Sequence, residues 1–129
     1  MLFQGPWKWP LTQFCDEIKD QLEKKDNFLY LGNEPFSGVL KKEKDGVLQE
    51  INYCNGHQHG LFKSYFHSGE IKEVCLYNKG CLNGRALKYW PNGQKCVNVN
   101  YINDKMDGIY EEWNSNGTLV CRKTFLKEN

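Results

Sequence analysis

Tyr53 opens YCNGHQHGLFKSYFHSGEIKEVCL, Tyr77 opens YNKGCLNGRALKYWPNGQKCVNVN, and Tyr101 opens YINDKMDGIYEEWNSNGTLVCRKT; Phe125 stands where a fourth tyrosine falls due. Each step is 24 residues. Gly60, Gly84 and Gly108 hold one register, Gly69, Gly93 and Gly117 a second, and Tyr65, Tyr89 and Trp113 a third. With 12 glycines in 129 residues, two all-glycine columns at one spacing do not arise by chance. A fixed period in this range marks a repeat architecture.

Working outward, each unit divides into two short strands. In the second copy these are Arg85–Trp90 and Gln94–Tyr101, separated by Pro91-Asn92-Gly93. Asn-Gly and Asp-Gly at such points favour the left-handed backbone of a tight hairpin. Units are joined by Asn55–Gly60, Lys79–Gly84 and Asp104–Gly108, read as longer turns whose final glycine permits positive φ or close backbone approach. Upstream, Tyr30 opens a degenerate unit of 23 residues in which Gly38 and Gly46 stand eight apart rather than nine, so its hairpin is one residue shorter. The predicted fold is mainly β: a single-sheet antiparallel meander of about eight strands, four stacked hairpin units.

An N-terminal α-helix is expected to precede it. Leu11, Phe14, Cys15, Ile18 and Leu22 form one apolar stripe at helical period. Asp16 and Glu17 lie early, Lys24 and Lys25 late, and Lys19–Glu23 and Asp20–Lys24 pair at i, i+4. The helix is predicted over Leu11–Lys25, ended by Asp26-Asn27, with its stripe against the sheet. The division is then 1–6, MLFQGP, a protease-tag scar; 7–28, helix; and 29–129, repeats.

Composition narrows the function. The length suits one domain, and 17 basic against 16 acidic residues leave a net charge of +1, without the basic excess of a nucleic-acid binder. No run approaches 18 apolar residues. Six cysteines at irregular spacing, with no CxxC, predict reduced thiols rather than a disulfide framework or zinc site. The expected compartment is the cytoplasm, or the periplasm if a signal peptide preceded Trp7.

Chemistry is sparse. His57-Gln58-His59, near Cys54 and His67, is the most metal-like feature, but its counterparts Cys81-Leu82-Asn83 and Lys105-Met106-Asp107 do not repeat it; solvated turn histidines are the reading adopted. No activating motif surrounds any cysteine, Glu111-Glu112 and Asp104/Asp107 read as a solvated rim, and no phosphate-binding glycine loop occurs. Neither catalysis nor a cofactor or metal is expected. Strand alternation places Phe62/Ala86/Tyr110 and Phe66/Trp90/Asn114 on the face opposite Tyr65/Tyr89/Trp113.

The pattern Y-x-N-G-x-x-x-G-(x)4-Y-(x)3-G, carried by Tyr53, Asn55, Gly56, Gly60, Tyr65 and Gly69, resembles the variant MORN repeat. Tyr77, Gly80, Gly84, Tyr89 and Gly93 repeat it with Lys79 for Asn; Tyr101, Asn103, Gly108 and Gly117 repeat it with Asp104 for Gly and Trp113 for Tyr. Bacterial chains of this kind are described as YwqK-type antitoxin or immunity proteins. The resemblance implies a protein-binding module that neutralises a cognate toxin or effector by occlusion. Phe62, Phe66, Trp90 and Tyr110 are the expected anchors, because aromatic side chains dominate interface energetics, with His57 and His59 on the rim. The near-neutral charge speaks against a nuclease partner. The alternative is a structural or membrane-apposed scaffold that self-associates through its last strand; otherwise the chain is expected to be a monomer. Function is expected where the copies differ, at the Phe62/Ala86/Tyr110 and Phe66/Trp90/Asn114 columns, the histidine segment and the helix.

Overall fold

A computed structural model describes residues 21–126. Twelve strands run in chain order: β1 Leu22–Lys25, β2 Phe28–Leu31, β3 Glu34–Pro35, β4 Gly38–Lys44, β5 Val47–Cys54, β6 His57–Tyr65, β7 Ile71–Asn78, β8 Cys81–Leu82, β9 Gly84–Tyr89, β10 Lys95–Ile102, β11 Lys105–Trp113 and β12 Leu119–Phe125. Strands β4 to β12 form one antiparallel meander, with the short β8 pairing only with β7. The hairpin-repeat reading therefore holds.

Two expectations need correction. From Leu22 onward the expected helix is instead strand β1, while residues 11–20 lie outside the described residues. Asp26 and Asn27 adopt φ of 49° and 70°, a two-residue turn that folds β1 back onto β2 with Leu22 opposite Leu31. Over Leu22–Lys25, cross-strand pairing outweighs local helix propensity. Nor is there a single sheet: β1, β2 and β3 form a separate three-stranded one. Its Leu29 and Phe36 are buried, and Leu22, Leu31, Val39, Leu40 and Tyr53 pack against them. The two sheets meet at Gly56, whose carbonyl accepts from Leu29 N and whose amide donates to Phe36 O, both at 2.8 Å. A Cβ at Gly56 would stand 3.0 Å from Phe28 Cδ2 and 3.2 Å from Leu29 O, so only glycine lets the two sheets approach.

The 24-residue period has a stereochemical content beyond its turns. Each unit carries two breaks in strand register. One lies after the hairpin turn, where Lys72, Cys96 and Val120 are the extra residues. The other follows the joint, at Gly60, Gly84 and Gly108, each with positive φ. Gly84 (φ 124°) is tightest, since a Cβ there would meet Leu76 Cδ2 at 3.1 Å. Bulges of this kind bend a strand and raise its twist. The joints themselves are shorter than expected. Asn55-Gly56, Lys79-Gly80 and Asn103-Asp104 are two-residue turns with positive φ at both positions, and the strand resumes at once. The degenerate first hairpin, β4–β5, turns at Asp45-Gly46 and has no register break. It lacks both a loop residue and the bulge, so the hairpin is two residues shorter rather than the one expected.

Candidate functional site

Cross-strand register assigns the faces. Phe62 opposes Cys75, Ala86 opposes Val99, and Glu73 opposes Lys88, so these residues share a face with Ile51, Tyr77, Val97, Tyr101 and Tyr110. Ile51, Cys75 and Val99, one unit apart, are the buried column of this face at 4%, 5% and 4% exposure. Beside that column lies a groove of about 210 Å³ lined by Cys75, Tyr77, Leu82, Ala86, Val97, Val99, Tyr101, Met106 and Tyr110, with Glu73 and Lys88 in its wall.

The groove is apolar with polar ends. Burial pushes the Cys75 thiol up to about 11; Glu73 adds to this and Lys88 opposes it. Burial likewise raises the Tyr77 phenol, with further contributions from Cys75, Glu73, Asp104 and Tyr101. The Tyr110 hydroxyl donates to Glu112 Oε1 at 2.9 Å, which lifts that phenol to about 12 with help from burial. Protonated phenols and a protonated thiol therefore line the groove at neutral pH. An inert thiol of this kind is not a nucleophile.

The structure brings two of the expected anchors to this face. Tyr110 lines the groove, and Phe62 packs edge-on against its Tyr77 wall at 6.5 Å between centroids. Phe66 opens a hairpin turn instead, beneath Lys72 Nζ at 6.0 Å, and lines a shallow hollow with Lys41, Glu50 and Tyr65. Trp90 opens the next hairpin turn, and its Nε1 donates to Trp113 O at 3.0 Å. His57 and His59 sit on β6, not in a turn. The His57 ring rests 4.2 Å from that of Phe28, and His59 Nδ1 accepts from Lys79 N at 3.1 Å. Among the described residues no group of three or more His, Cys, Asp or Glu is placed to hold a metal.

The expected solvated rim is anchored to the sheet by hydrogen bonds, with Asp104 exposed and Glu111 half-buried. Glu111 accepts from Asn98 Nδ2 and lies 3.9 Å from Arg122 Nε, while Asp104 Oδ1 accepts from Leu82 N at 2.7 Å. Sequence reading did not single out Glu73, Tyr77 and Tyr101 as site residues; the regular spacing of the two tyrosines marked them as register, and Glu73 has no counterpart in the other units. The usable signal was Ala86, the small residue in an otherwise bulky column.

Comparison with known families matches residues 58–79 and 82–103 to the MORN repeat variant. Two segments of the chain are thus similar to the MORN repeat variant, and they contain most of the groove's lining. No curated protein matches the chain.

Proposed function

We propose that this chain is a non-catalytic binding protein that neutralises a cognate protein toxin or effector by covering its working surface. The observation that carries the reading is the groove over Ala86, walled by Tyr77, Tyr101 and Tyr110 on the Cys75 face. Aromatic-lined apolar hollows with a few polar groups are where interfaces concentrate their energy. Phe62 and Tyr110 are the central anchors. Phe66 and Trp90 at the hairpin tips, and His57 and His59 at the joint edge, form the outer contacts. Occlusion needs only a complementary surface, which agrees with inert titratable groups in the groove. Five unpaired cysteines among the described residues suit a reducing cytoplasm.

The experiment is co-expression with the product of the neighbouring gene. A complex that survives purification at micromolar concentration, together with relief of that product's toxicity, is the expected result. Absence of both overturns the reading. The scaffold alternative draws on strand β12, where Leu119, Val120 and Phe125 are exposed at 44%, 54% and 38% on the outermost strand of the sheet among the described residues. Sedimentation at rising concentration tests it, and a monomer throughout excludes it.

A further inference from the structure

The groove is a gap in a column. Leu40, Phe62, Ala86 and Tyr110 occupy the same register position in successive units, opposite Ile51, Cys75, Val99 and Lys123. Three of the four side chains are large and the third in order is a methyl. Successive members stand two strands apart, about 9.6 Å. Phe62 and Tyr110 therefore flank Ala86 at the distance that one further ring would fill. The hollow measures about 210 Å³. An apolar cavity of about 150 Å³ already admits a benzene ring.

The polar end of the groove selects among rings. Glu73 faces Lys88 across β7 and β9, and no hydrogen bond or salt bridge from the described residues engages its carboxylate. Lys88 in the same wall opposes a cationic occupant, and Glu73 with Asp104 opposes an anionic one. A neutral donor suits the site best. The fold itself uses this pairing twice, with Tyr65 donating to Glu50 and Tyr110 donating to Glu112.

We infer that the groove receives one tyrosine side chain of the bound protein, its ring over Ala86 and its hydroxyl donating to the Glu73 carboxylate. This rests on the partner-binding reading above. It explains why the column gives up a large side chain at this position alone: the missing bulk is supplied from outside. It also makes Ala86 a specificity-determining residue, since any larger side chain closes the site.

The test uses the whole chain with methyl-labelled alanine and valine, titrated with p-cresol, toluene and butylammonium as side-chain probes. Saturable shifts at Ala86, Val97 and Val99 are expected with p-cresol, about fivefold or more tighter than with toluene, as one hydrogen bond to a carboxylate supplies. Butylammonium should leave them unmoved. Glu73→Ala should remove the preference of p-cresol over toluene, and Ala86→Phe should abolish ring binding while raising Tm. If Ala86→Phe does not fold, Ala86→Leu serves the same purpose. Unmoved methyls with p-cresol, undiminished binding in the position-86 variant, or tighter binding of butylammonium would overturn the inference. Because the titration needs no partner, its failure leaves neutralisation standing, and failure of co-purification leaves the groove standing.

Discussion

At the scale of single residues, two phenol–carboxylate pairs hold the sheet faces. Tyr65 donates to Glu50, and this bond, followed by burial and the Glu50 charge, raises the phenol from 10.0 to about 12. A raised pKa means that the folded state favours the protonated form. The stabilisation is complete below pH 10 and disappears as pH climbs through about 12. Tyr65→Phe should therefore cost about 1 kcal/mol at pH 8, and the gap to the parent should close between pH 10 and 12. Urea midpoints of both chains across that range check it; a gap that stays constant would show the bond to be irrelevant. Ser64 is the contrasting case, at 2% exposure with a hydroxyl that finds no partner among the described residues. Single residues were also where the sequence was hardest to read. Strict alternation put Phe66 and Trp90 on the face of Phe62, but the strands end at Tyr65 and Tyr89, and both residues serve the turns.

At the scale of elements, the hairpin tips are stitched to one another. Trp90 Nε1 donates to Trp113 O, and Asn92 Nδ2 donates to Ser115 O at 2.8 Å, both into the next unit. Gln94 Oε1 lies where a Cβ on Gly117 would come within 2.6 Å, so that glycine permits the contact. The half-buried Trp90 therefore contributes to stability before any partner arrives. Trp90→Phe should cost about 1 kcal/mol, the worth of one hydrogen bond. Trp90→Ala should cost about 2 kcal/mol, less than a fully buried indole. Hydrogen exchange localises the effect: protection should fall at the tips of β9–β10 and β11–β12 and stay intact in β4–β5. Uniform loss of protection would refute stitching by Trp90. At this scale the sequence was largely legible, because turns follow from local chemistry. Asp45-Gly46 announced its backbone, whereas Asn55-Gly56 was read as part of a longer turn. The bulges at Lys72, Cys96 and Val120 did not, since a one-residue register break depends on both strands and leaves no fixed residue type behind. The described end of the expected helix, Leu22–Lys25, is a strand for a related reason. An apolar stripe says that a segment has one buried side, and here Asp26-Asn27 and the Leu22–Leu31 pairing decide which element carries it.

At the scale of the molecule, the two edges of the repeat sheet differ among the described residues. At the first, the three-stranded sheet packs Leu29 and Phe36 against Val39, Leu40 and Tyr53. At the last, β12 is the outermost strand of the larger sheet among the described residues. The buried column Ile51, Cys75, Val99 would continue at position 123, because Lys123 opposes Tyr110 as Val99 opposes Ala86. A lysine there ends the column by making further stacking costly, a recognised defence of exposed edges. Arg122 beside it lies 3.9 Å from Glu111 and keeps a second charge on the same strand. Lys123→Ile should thus extend the apolar column to the edge without disturbing the units before it. The prediction is concentration-dependent self-association by sedimentation, with Tm unchanged or higher at low protein concentration, whereas the parent remains monomeric under the same conditions. Restoring charge nearby, by combining Val120→Lys with Lys123→Ile, should reverse it. If Lys123→Ile stays monomeric at every concentration reached, the edge is guarded by something other than this lysine.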